Sequence, residues 1–356
     1  MKVTFKKIIS TCLFMILAFS LALPVYAGSA TSGCVRNLDD GDEYGQTPTT
    51  LPSNIVVNSS ENNVVINQIQ TQDKKEGHLV IGKEIENETI EDIVSIPKEE
   101  IKSVTIKDGV TSIGEFAFSE CPSLKQINIP GSVTSIGKCA FAKCPSLTSV
   151  TIGNGVTSIG NGAFTECPSL TSVTIPDSVT SIGAFAFAQC TNLTSINIPN
   201  SVTSIGAFAF AKCPSLTSIN IPSSVKEIGK QAFGDCPSLT SVTIGNGVTS
   251  IGAFAFAKCT NLTSINIPNS VTSIGEFTFA DCQSLTSINI PNSVTSIGEL
   301  AFAQCTNLTS INIPNSVTSI GKYTFAKCQS LKEVTVPRGA NIGLNAFDEN
   351  TTVHRI

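Results

Sequence analysis

Ten cysteines recur every twenty-three residues, at Cys121, Cys144, Cys167, Cys190, Cys213, Cys236, Cys259, Cys282, Cys305 and Cys328. No other residue type here offers so much chemistry at so regular a spacing. Thiols can pair as disulfides, hold a metal as thiolates, or remain buried as small, nearly apolar groups. The regular spacing favours the last. Side chains at equivalent points of stacked units run parallel, whereas a bridge needs converging Cβ atoms about 3.5–4.5 Å apart. Zinc sites draw on close pairs such as C-x-x-C, often with histidine, and the two histidines, His78 and His354, both lie outside the regular units. Cys139 breaks the pattern: it stands where Phe116, Phe185, Phe208, Phe254 and Phe277 stand in other units, and is expected beside Cys144 or at the surface. Cys34 follows Ser32-Gly33, too far beyond the apolar N-terminal run for a lipid-attachment cysteine.

Acid–base and nucleophilic catalysis need unlike residues converging in a pocket, and identical units produce columns instead. Glu120, Glu166, Asp235 and Asp281 fall at variable positions and read as solubilising charges. The chain is therefore read as non-enzymatic, with no catalytic, cofactor-binding or metal-binding residues.

Self-similarity at a period in the twenties means stacked supersecondary units, each touching only its neighbours, which build an extended surface rather than a cleft. Full units begin at Ile101, Leu124, Leu147, Leu170, Leu193, Leu216, Leu239, Leu262, Leu285 and Leu308; a degenerate copy begins at Leu331, is one residue short and has Asn350 where a cysteine is due. In the unit from Leu193, Ile196 and Ile198 alternate with Ser195 and Asn197, the pattern of a strand with one buried face. Pro199-Asn200-Ser201 ends that strand, since proline has no N–H and Asn and Ser favour turns. A second short strand follows through Val202 and Ile205, then a tight arc to Cys213. The expected core columns are Leu193, Ile196, Ile198, Val202, Ile205, Ala209, Phe210 and Cys213 with their equivalents. Gly206 recurs in every unit, which calls for a positive φ or for crowding by the adjoining unit.

Charged residues make up 14% of the chain, below the roughly 25% of ordinary soluble domains, so hydroxyls and amides must cover much of the surface. Residues 28–108 hold 15 Asp/Glu against 7 Lys/Arg, while residues 109–356 hold 12 of each. A neutral array without a basic stripe is a poor partner for nucleic acid, whose affinity comes mainly from neutralising phosphates.

At the N-terminus Lys2, Lys6 and Lys7 precede an apolar run from Ile8 to Leu23 and then Val25-Tyr26-Ala27, the pattern of a signal peptide cleaved after Ala27. The expected organisation is a signal peptide at 1–27, a flexible acidic stem at 28–54, an N-terminal capping region at 55–100, ten repeats at 101–330 and a degenerate capping repeat at 331–356. No membrane-spanning segment is expected after signal removal.

The motif Leu-x-x-Ile-x-Ile-Pro-x-Ser-Val-Thr-Ser-Ile-Gly-x-x-Ala-Phe-x-x-Cys resembles the BspA-like bacterial leucine-rich repeat family, over about 250 residues. The resemblance implies a β-rich solenoid of about eleven 23-residue units with short strands and tight convex arcs. It also implies a secreted or cell-surface bacterial protein that takes part in adhesion or binds a protein or glycan macromolecule at a cell or matrix surface. The family motif consists of core positions, so no catalytic residue carries over.

Two surfaces are candidates for that binding. One is the outward column of the first strand, including Ser195, Asn197, Ser218, Asn220, Ser264, Asn266, Ser287 and Asn289, which reads either as a solvated polar ladder or as a broad uncharged docking face. The other is the column Phe116, Phe185, Phe208, Phe254 and Phe277, continued by Leu300 and Tyr323. Phe208 and Phe210 lie two residues apart on a tight arc and cannot both point fully inward, so the outer ring either packs on the adjacent unit or forms an apolar interaction edge. A structural stalk that associates only with copies of itself is the alternative to a specific ligand.

Overall fold

The structure, a computed structural model, divides the chain into Met1–Thr49 and Thr50–Ile356. It describes the backbone of three strands, Asn58–Ser60, Asn63–Ile66 and His78–Ile81, and residues 98–356 in full. Everything below concerns these residues.

The repeats coil into a parallel β-solenoid. One face is a thirteen-stranded sheet made chiefly of two-residue Ser-Ile strands, such as Ser181–Ile182 and Ser204–Ile205. Its partners stand one unit apart, Ser181 against Ser204 and Ile182 against Ile205. The second face carries the longer strands, with five in one continuous sheet from His78–Ile81 to Ser172–Thr174. At the N-terminal end the Asn58–Ser60 and Asn63–Ile66 hairpin joins the first sheet and His78–Ile81 joins the second.

Alternation decides which side chains enter the core. Ile219 and Ile221 are buried while Ser218 and Asn220 face out, as the strand period of two requires. Ile205, Phe210 and Cys213 and their equivalents are buried throughout the repeats, as expected from their invariance. The inner rings from Phe118 to Phe347 stack through the core with centroids 5.1–5.8 Å apart.

Neighbouring rungs are tied in two directions. On the strands, amides donate to the preceding rung, as from Gly206 N–H to Ile182 O at 2.9 Å. On the arc they donate forward, from Phe208, Phe210 and Lys212 to Lys230, Ala232 and Gly234 at 2.8–2.9 Å. The tight arc leaves none of these groups to water.

The longer strand is not continuous along the array. No such strand forms in the rung from Leu193, and the rung from Leu262 keeps a single bridge, Asn266 with Asn289. Both rungs follow a Thr-Asn turn instead of Pro-Ser, and Asn192 and Asn261 donate their amides to Pro168 O and Pro237 O at 3.2 Å. The same bond from Asn307 N–H to Gln283 O at 3.3 Å precedes a rung that does form its strand, Ser310–Asn312, so the turn by itself does not decide the ladder. Their side chains still alternate, with Ile196 and Ile198 buried and Ser195 and Asn197 exposed.

The recurring glycine serves crowding, not a left-handed turn, in every rung from Gly137 to Gly343 except that of Gly275. A Cβ on Gly206 would lie 2.4 Å from the Ala184 nitrogen. The left-handed positions fall instead at the outer aromatic and at the residue before cysteine: Phe208 has φ 60° and Lys212 φ 57°, and their equivalents repeat this in rung after rung.

Candidate binding surfaces

The longer-strand face presents the outward hydroxyl and amide columns. Ser195, Asn197, Ser218, Asn220, Ser264, Asn266, Ser287 and Asn289 are all exposed. From Ser149 to Asn312 these two columns contain no charge. Beside them, Thr hydroxyls donate to the equivalent carbonyl one rung back, as Thr217 Oγ1 does to Thr194 O and Thr240 Oγ1 to Thr217 O. Those bonds hold the rim of the face in register and leave the Ser and Asn groups to solvent or a ligand.

Charge returns at the C-terminal end. Glu333 and His354 continue the outward columns, with His354 Nε2 3.7 Å from Glu333 Oε2. Between the strands Ser310–Asn312 and Glu333–Val336 no ladder forms, and Ile311 is only partly buried where its equivalents are covered. A depression of about 540 Å³ lies here, lined by Asn289, Asn312, Glu333, Thr335 and His354 among others. Its walls are amides, hydroxyls and one carboxylate–imidazole pair over an isoleucine floor.

The arc carries the aromatic column. Phe116, Phe185, Phe208, Phe254 and Phe277 are half-buried, while the inner Phe210 is fully covered. The outer rings stack where they are consecutive, Phe185 on Phe208 at 4.6 Å and Phe254 on Phe277 at 4.4 Å. Lys138 and Lys230 extend over Phe116 and Phe254 at 5.9 Å. Cys139, Gly162 and Gln231 interrupt the column. Cys139 is fully buried and disulfide-bonded, which rules out the surface position that was one of its two expected places.

The ten column thiols are free and buried. From Cys144 onward each donates to a phenylalanine carbonyl of the rung before, as Cys213 Sγ does to Phe187 O at 3.2 Å, within a spread of 3.1–3.3 Å. The thiol thus fills the core and supplies a weak donor inside the arc. From Cys167 onward burial pushes these thiols up, Cys213 to about 12, which keeps them protonated and poor as nucleophiles or metal ligands. Among the described residues no group of three or more His, Cys, Asp or Glu is placed to hold a metal, and no helix is long and apolar enough to cross a membrane.

Glu120, Glu166, Asp235 and Asp281, which read as solubilising charges in the sequence, share one left-handed column with Lys143, Gln189, Lys212, Lys258, Gln304 and Lys327, and two of the four carboxylates are ion-paired along it. Lys143 Nζ lies 3.6 Å from Glu120 Oε1, and Lys258 Nζ 3.7 Å from Asp235 Oδ1. Like charges never fall on adjacent rungs. Burial pushes the Asp235 carboxyl up, and Lys258 and Lys212 oppose that shift. The signal was available in the alternation of sign at a spacing of twenty-three.

A coil of parallel strands with one buried aliphatic ladder per rung and a stacked aromatic spine defines a leucine-rich-repeat solenoid. The profile described as BspA type leucine rich repeat region (6 copies) matches residues 97–183, 157–264 and 226–354. The chain belongs to the BspA-type leucine-rich repeat family. Among solved structures it is similar to a leucine rich cell surface protein from Faecalibacterium prausnitzii, at 30% identity over 85% of this chain and 95% of that one, with a TM-score of 0.42. A leucine-rich repeat protein from Bacteroides ovatus is 27% identical over 86% of this chain and all of its own length, with a TM-score of 0.45. The pneumococcal vaccine antigen PcpA is 16% identical over 86% of this chain and 98% of its own, with a TM-score of 0.48. No curated protein matches.

Proposed function

We propose that this is an exported, non-enzymatic binding protein of the bacterial cell surface, which docks a protein or glycan macromolecule on its longer-strand face. The observation that carries the reading is the uncharged Ser/Thr/Asn double column from Ser149 to Asn312. Equivalent hydroxyls and amides recur one rung apart, about 4.8 Å, so the face offers a repeating set of donors and acceptors to an extended partner. Family membership supports surface placement, as does the cell-surface relative at 30% identity.

The test is adsorption of the purified chain to immobilised matrix proteins and to bacterial surface polysaccharides, beside a variant carrying Asn197→Asp, Asn220→Asp and Asn266→Asp. Retention by a defined surface that the triple variant loses supports this face. Retention unchanged in that variant removes it as the docking surface.

A further inference from the structure

The outward columns of the longer-strand face carry no charge from Ser149 to Asn312, and Glu333 is the first carboxylate to enter them after that stretch. The depression of about 540 Å³ lies where this happens. Ten of its eleven lining residues belong to the rungs from Leu285, Leu308 and Leu331, and His354 closes one wall. It is therefore a feature of the face, set by the missing ladder between Ser310–Asn312 and Glu333–Val336. One rung earlier Thr309 N–H donates to Thr286 O at 3.0 Å, but among the described residues no such bond runs from Lys332 N–H to Thr309 O. The Thr309 carbonyl is left without its rung-to-rung donor, and Ile311 without full cover.

The groups around this gap match a sugar ring. Each ring hydroxyl both donates and accepts, so neighbouring hydroxyls are best met by side chains that carry two polar atoms. Glu333 supplies two acceptor oxygens, and the exposed Asn289 and Asn312 each supply an acceptor and an N–H donor. Ile311 between them offers an aliphatic patch to the C–H side of the ring. The volume falls within the roughly 300–1,000 Å³ of small-ligand pockets.

A peptide fits less well. Strand addition needs an open sheet edge, yet on the opposite face Ser319 still pairs with Asn341 and Ile320 with Ile342, so the two rungs cannot part to admit a strand. Charge narrows the choice of sugar. No lysine or arginine lines the depression, and the Glu333 carboxylate disfavours an anionic ligand beside it.

We infer that this depression binds one neutral sugar residue, held through adjacent hydroxyls by the Glu333 carboxylate and the Asn289 and Asn312 amides over Ile311. The inference rests on the reading of this face as a docking surface and names the ligand class for one end of it. No phenylalanine or tyrosine lines the depression for the ring to stack on, so a free sugar binds weakly. A polysaccharide gains by engaging the Ser/Asn columns at the same time.

Saturation-transfer NMR of the full chain with the methyl glycosides of glucose, galactose and mannose, beside glucuronic acid and a short neutral peptide, tests this. At least one neutral glycoside is expected to take up saturation, and glucuronic acid and the peptide are not. Glu333→Ala and Asn312→Ala alter exposed side chains and should leave the circular dichroism spectrum unchanged. Each is expected to weaken glycoside binding by about tenfold, the loss of one hydrogen bond to a charged group or of a bidentate contact. Asn197→Asp combined with Asn220→Asp, three or more rungs from the depression, should leave it intact. Failure of every neutral glycoside to bind overturns the inference, as does preference for glucuronic acid or the peptide, or binding that Glu333→Ala leaves unchanged. Polysaccharide adsorption that the Asn197/Asn220 variant loses, while free glycosides fail to bind the wild type, would keep the docking face and remove the sugar site.

Discussion

Lys258 Nζ lies 3.7 Å from Asp235 Oδ1, joining the same position of two successive rungs. Asp281 follows on the next rung and Lys212 precedes Asp235, so Asp235 and Lys258 each lie between two charges of the opposite sign. Near-identical units can slip by one rung at little cost to the apolar core. A ladder of alternating sign penalises some of those slips, because it brings like charges together.

Lys258→Asp should therefore lower the unfolding temperature, by placing three carboxylates on consecutive rungs. The expected cost is about 1 kcal/mol and should shrink as salt is added. Lys258→Gln, which removes one pair without creating repulsion, should cost less. Thermal melts at low and high ionic strength check both, and equal losses for the two variants would disprove a role for alternation.

The cysteine column makes stability fall in alkali. From Cys167 onward burial holds the folded-state thiols above their ordinary value of 9.0, Cys213 and Cys328 at about 12. Above pH 9 the unfolded chain loses thiol protons that the folded chain keeps, so each such thiol contributes stability that is complete below pH 9. That contribution is lost at about 1.4 kcal/mol per pH unit as the pH rises towards 12. Denaturant titrations between pH 8 and 11 should show a steep drop, reduced in Cys213→Ser. A flat profile would contradict the burial of the column.

The same burial predicts that native protein resists alkylation. Mass spectrometry after denaturation without reductant should find the ten column thiols free, and rung-to-rung disulfides would refute this.

Gly206→Ala forces a methyl group to within 2.4 Å of the Ala184 backbone. Overpacking against backbone costs on the order of 1–3 kcal/mol or more. Lys212→Gly should be close to neutral, because φ 57° strains any other residue and glycine removes that strain while loosening the unfolded chain. Equilibrium unfolding of the two variants separates crowding from backbone conformation. The reverse order of losses would show that the glycine is kept for its dihedral freedom.

Binding on the longer-strand face should depend weakly on salt. Residues 109–356 carry 12 acidic and 12 basic residues and the Ser/Asn columns are uncharged, so long-range electrostatics contributes little. Titration of a matrix protein retained by the chain, at low and high ionic strength, reads this directly, and a steep salt slope would shift attention to the acidic residues before Ile101.

Much of this architecture is visible in the spacing alone. A period of twenty-three names the rung, and invariance of Ile205, Phe210 and Cys213 across copies marks the core. Alternation of Ser195, Ile196, Asn197 and Ile198 assigns the exposed face even where, in that rung, no strand ladder forms. These properties are local or repeat from unit to unit, so one chain read against itself contains them. What the tertiary structure decided concerns the backbone. The arc donates its amides forward to the next rung, which holds Phe208 and Lys212 in left-handed conformations that their side chains do not announce, and stacking sets the Gly206 Cα against Ala184 of the rung before, because these contacts arise between rungs and not from any residue type.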